Sequence, residues 1–119
     1  MSEKTFFWVQ TYIDTFIIMN KPHFNKLSNA ELERLACLAE ECGEVIQMVN
    51  KTIRHGFDNS HLKYGNKTCR ELLEQEIADL FVIFELMNGN EDFDEDRLYE
   101  CKMFKKSKIN KSLRYNEVS

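Results

Sequence analysis

Apolar residues recur along this chain at helical spacing, and no stretch sustains the alternation of a half-buried strand. Phe6, Val9, Ile13, Phe16 and Ile17 predict a first helix over 5–19, ended by Asn20, Lys21 and Pro22. A longer stripe of Leu32, Leu35, Leu38, Ala39, Cys42, Val45, Ile46, Val49 and Ile53 predicts a second. Ser28 and Glu31 form an S-x-x-E capping box at its start. Gly56 stops it, and Arg54 and His55 complement its C-terminus. Gly56, Asn59, Ser60, Gly65 and Asn66 then make a polar loop over 55–67, long for a compact domain and therefore a candidate for function. Thr68 and Glu71 repeat the capping box and open a third helix that runs to Asn88, with Gly89 as its stop. A fourth is expected after Asp94, through Leu98, Cys101 and Phe104 toward Ile109. The expectation is one all-α domain of four helices over 1–119.

Composition agrees with a globular chain: 43% hydrophobic and 30% charged, with one Pro and four Gly. A domain this short buries a modest core, so self-association would help it, and nine Phe and four Tyr supply surface for that. The net charge of -4 argues against a chain-wide nucleic-acid surface, although Lys102, Lys105, Lys106, Lys108, Lys111 and Arg114 crowd the C-terminus. Cys37, Cys42, Cys69 and Cys101 form no CxxC pair or zinc spacing and read as reduced thiols of a cytoplasmic chain. Gln10 and Asp14 interrupt the first apolar run, so it does not read as a signal peptide, and no run is long enough to span a bilayer.

The candidate chemistry lies in carboxylates. Glu41 and Glu44 are three apart on the second helix, and Glu76 and Asp79 three apart on the third, so each pair shares a helix face. Glu40, Glu41 and Glu44 lie opposite the main apolar stripe, in an arc shared with Cys37 and Met48, and could simply face water. Glu76 and Asp79 are different. Their helical neighbours are Leu72, Leu73, Leu80, Val82, Ile83 and Leu86, which places both acids inside the apolar face. A buried carboxylate neutralises or finds a cation, and the third helix holds no Lys or Arg after Arg70. Antiparallel packing of the two helices would bring both pairs together, and four converging carboxylates call for a divalent cation. All-oxygen ligands favour Mg²⁺, with Mn²⁺ as a substitute. The absence of Glu-x-x-His pairs disfavours a di-iron centre.

The string LAEECGEVIQ, followed some thirty residues later by LEQEIADL, resembles the EExxE…ExxD signature of MazG-like all-α nucleoside triphosphate pyrophosphohydrolases. The likeness is to small phage-type members and covers 28–88. It implies a four-helix MazG-like bundle and Mg²⁺ ligands at Glu41, Glu44, Glu76 and Asp79. It also implies hydrolysis of an NTP or dNTP to the monophosphate and pyrophosphate. A homodimer or homotetramer is implied as well, with sites often completed by a neighbouring subunit. Glu40 matches the first acid, a candidate for ordering or deprotonating water; Glu44 is placed for the same role, and the choice stays open.

Relatives carry a Lys…Asn…Arg/Tyr stretch after the last long helix, which Lys106, Asn110, Arg114 and Tyr115 resemble, with Lys111 beside them. The spacing to Arg114 is one residue long. These residues are candidates for substrate phosphates, or else they complement a helix C-terminus. Lys51 and Arg54 are further phosphate candidates, because they continue the second helix beyond the acids. Phe57, His61 and Tyr64 could stack on a base or pack locally; the single Trp8 lies on the first helix. Gln75 stands where many relatives have another acid. Phosphoribosyl-ATP pyrophosphohydrolase activity is a related alternative. A helical interaction or nucleic-acid accessory protein using the basic C-terminus is a non-enzymatic one, and a catalytically silent bundle a third.

Overall fold

A computed structural model of the chain describes residues 2–20, 23–60 and 62–115; for Phe6 and for residues 15–20 and 62 it describes the backbone only. Four helices follow one another: α1 (Glu3–Asn20), α2 (Asn29–His55), α3 (Cys69–Gly89) and α4 (Glu95–Ser112). A 3₁₀ turn, Leu62–Tyr64, lies between α2 and α3. Among the described residues there is no strand, only an isolated bridge between Ser60 and Thr68. No described helix is long and apolar enough to cross a membrane.

Both expected capping boxes form. Ser28 Oγ accepts from Glu31 N while Glu31 Oε1 accepts from Ser28 N, and Thr68 and Glu71 reproduce the arrangement. α1 starts earlier than expected because Ser2 Oγ accepts from Thr5 N. Lys21, Pro22 and His61 lie outside the described residues. Gly89 does not stop α3. Asn90 caps it, its backbone N and side-chain Nδ2 both donating to Leu86 O, and Glu91 takes the left-handed conformation at φ 60°.

Among the described residues, α2 and α3 are the only pair of elements that packs along its length. They run antiparallel. The 56–68 loop joins them at one end, and at the other Arg34 donates to both Asp92 oxygens, at 2.6 and 2.8 Å. That part-buried fork holds Asp92 below the usual aspartate range. Among the described residues the buried ones are Met48, Thr52, Cys69 and Met87, all on this pair, and Met87 is the one fully buried.

The seam takes only part of the stripe the sequence suggests. Leu38, Glu41, Val45, Met48 and Thr52 recede from solvent toward α3, while Leu35, Ile46, Val49 and Ile53 remain 40%, 61%, 38% and 76% exposed. Of the arc opposite the stripe, Glu41, Glu44 and Met48 turn toward α3 while Glu40 stays exposed; Leu38 and Val45 of the stripe join the seam, and Leu35, Ile46, Val49 and Ile53 stay open. α1 and α4 do not cover it, so the four helices do not close into a bundle within one chain.

Candidate metal centre

The α2–α3 seam brings two acids from each helix together at mid-length. Glu41, Glu44, Glu76 and Asp79 each offer an oxygen within 4.8 Å of the others. Their i, i+3 spacing places each pair on one face, and antiparallel packing lays the faces opposite one another. Glu41, Glu44 and Glu76 are half-buried. Oε2 of Glu41 and Oε2 of Glu76 are sealed from solvent without a hydrogen-bond partner. Burial first, then the neighbouring Glu44 carboxylate, holds both groups above the usual carboxylate range, and the Asp79 charge adds to this.

One open alternative closes and one expectation needs correction. Glu41 and Glu44, for which facing water was left open, are half-buried, because the seam runs along their side of α2. Asp79 is exposed, not embedded. Its neighbours Val82 and Leu86 are themselves 61% and 50% exposed, since no element covers that side of α3. Glu40 is also exposed and stands outside the converging four, though its charge reaches Glu41.

The donor set fits a hard divalent cation. It is all carboxylate, its geometry is crowded, and two of its oxygens lack any proton donor. A cation would offset both the mutual repulsion and the lost solvation.

The phosphate candidates divide. Lys51 and Arg54 line a cavity of about 270 Å³ at the loop end of the seam. Lys106, Asn110 and Lys111 lie on α4, which does not pack along α2 or α3, and Arg114 lies just beyond it, over the Tyr115 ring at 5.4 Å. Lys63 and Lys67 line the same cavity as Lys51 but were not candidates by motif. The available signal was compositional, for the chain after Asp58 has no acid until Glu71. Phe57 packs locally, with the Arg70 guanidinium 4.5 Å from its ring centroid. Trp8 is 63% exposed on α1. All four cysteines are free thiols. Comparison of the chain with protein-family models, curated proteins and solved structures gave no match.

Proposed function

We propose that this chain is a Mg²⁺-dependent nucleoside triphosphate pyrophosphohydrolase that works as a homo-oligomer in a MazG-like all-α arrangement. The observation that carries the reading is the convergence of four carboxylates, two with shielded oxygens that no proton donor reaches. Glu41, Glu44, Glu76 and Asp79 would hold the ion, with Mn²⁺ as a substitute. The bound ion would neutralise phosphate oxygens and acidify water. Water adds to a phosphorus, the anhydride P–O bond breaks, and the nucleoside monophosphate and pyrophosphate leave. Glu40 and Glu44 are the two candidates to take the proton of the attacking water.

The open stripe on α2 supports the oligomer, since a second copy would cover it. In such an assembly the α4 groups Lys106, Asn110, Lys111 and Arg114 could serve a neighbour's acids.

The test is a panel of NTPs and dNTPs, deoxynucleotides first, with phosphoribosyl-ATP included and pyrophosphate as the readout. Hydrolysis should require Mg²⁺ or Mn²⁺. Glu41→Gln and Asp79→Asn should each lower it on the order of a hundred-fold or more with helicity unchanged. Absence of pyrophosphate from every substrate would refute the enzymatic reading.

A further inference from the structure

The cavity at the loop end of the α2–α3 seam has an unusual lining. Lys51, Arg54, Lys63 and Lys67 line it together with Tyr64, and the described lining residues include no Asp or Glu. Lys51 Nζ lies 5.2 Å from the Tyr64 ring centroid and Lys63 Nζ 5.6 Å, so two ammonium groups flank one ring. Lys51 also donates to the Tyr64 hydroxyl at 3.3 Å. That hydrogen bond, and then the charge behind it, holds the phenol below its usual range.

The loop that carries these cations is pinned. Cys69 N donates to Asn59 O and Arg70 N to Phe57 O, both at 2.9 Å. Gly65 and Asn66 turn the chain through consecutive left-handed conformations at φ 65° and 62°. Lys67 Nζ donates to Gln75 Oε1 on α3. The first N–H groups of α3 are occupied by Asn59, Phe57 and the Thr68 cap, so an incoming anion would meet side chains, not the helix end. The floor is apolar, formed by the buried Met48 and Cys69.

We propose that this cavity is a phosphate subsite, taking a phosphate or pyrophosphate group of a small-molecule ligand. Four cations from α2 and the loop converge on one cavity, and their ammonium and guanidinium donors match phosphate oxygens. Size supports a group of this class. At about 270 Å³ the cavity falls just under the roughly 300–1,000 Å³ of pockets that enclose whole drug-sized ligands, so it suits part of a ligand. Position says where the remainder lies. Met48 is one turn past Glu44, and the lining residue Leu72 one turn before Glu76, so the acids begin about 6 Å along the seam. A phosphorylated ligand anchored here reaches them. This last step rests on the metal reading of the acids; the subsite itself does not.

Titration of the full-length protein with inorganic pyrophosphate in EDTA, followed by calorimetry, separates the two claims. Saturable binding is expected without any divalent metal. Lys63→Ala, in the exposed loop, should weaken it on the order of ten-fold, and Lys51→Ala/Lys63→Ala further, while Lys108→Ala on α4 changes nothing. Glu76→Gln should keep this metal-free binding even if it abolishes every effect of Mg²⁺, so failure of the metal reading leaves the subsite standing. A single-stranded oligonucleotide of about ten residues tests the other phosphate source. Pyrophosphate binding that is absent, that survives loss of both lysines, or that is outcompeted by the oligonucleotide at equal phosphate would overturn the proposal.

Discussion

Glu41 and Glu76 each bury an oxygen that has nothing to bond with, and each sits among other carboxylates. Burial and like charge both favour the protonated form, so both groups titrate above the usual range. The folded chain then binds these protons more tightly than the unfolded chain. The resulting stability is complete below the unfolded carboxyl range, near about pH 4.3, and is lost as pH rises through the raised folded values. Asp92 carries the opposite sign. Its depressed value gives stability above about pH 3.9 that is lost as pH falls through the folded value. In EDTA the melting temperature should therefore peak in mild acid and decline toward neutral pH. Mg²⁺ should raise it at neutral pH and do little once the acids are protonated. Glu76→Gln should remove part of the decline and most of the Mg²⁺ response. A melting curve that is flat with pH and indifferent to Mg²⁺ would contradict this account of the four acids.

At the scale of the element, the strongest sequence signals were those whose physics is local. A capping box needs only a hydroxyl and a carboxylate three residues apart, so Ser28 and Thr68 located the starts of α2 and α3. Replacing Thr68 by Ala should cost about 1 kcal/mol in urea unfolding and should loosen the adjoining loop, whose bridge runs through Thr68 to Ser60. The face by which α2 meets α3 was not legible in the same way. The apolar stripe ran from Leu32 to Ile53 and included Leu38 and Val45 beside Leu35, Ile46, Val49 and Ile53, whereas Glu41, Glu44 and Met48 lay in the opposite arc. Packing chose the boundary between the two, drawing in Leu38 and Val45 with Met48 and taking Glu41 and Glu44 but not Glu40. The pairing of Glu41 and Glu44 with Glu76 and Asp79 was readable from their spacing, but the exposure of Asp79 was not. It depends on what covers Val82 and Leu86, which no helical period records. The cationic cavity was legible only in part, because Lys51 and Arg54 share a helix whereas Lys63 and Lys67 reach them through a turn at Gly65 and Asn66.

At the scale of the molecule, the single chain is too open for its composition. Its radius of gyration is 22.6 Å, whereas a compact chain of this length has about 13–14 Å. Its accessible surface is 10403 Å², against about 6,800 Å² for a folded monomer of this mass. The excess, roughly 3,600 Å², is of the size that obligate interfaces bury. It is also chemically uneven. Ile46, Val49 and Ile53 lie along one side of α2 at spacings of three and four residues, the register of a helix–helix seam, and Leu35, eleven residues before Ile46, falls on the same side. Phe81, Val82 and Leu86 are open on α3, and Phe7, Trp8, Tyr12 and Ile13 on α1. A stripe of this regularity is suited to another helix, and a second copy supplies several. Sedimentation of the purified protein should accordingly give at least twice the chain mass. Ile46→Asp would place a charge at the middle of the stripe and should shift the protein toward monomer, whereas Glu100→Lys on exposed α4 should not. The variant should leave the acids within one chain in place, so Mg²⁺ should still raise its melting temperature. Hydrolysis should fall more than Mg²⁺ binding does if α4 groups act across the interface. A wild-type monomer at micromolar concentration would remove the assembly from the proposed mechanism and leave the α2–α3 pair to work alone.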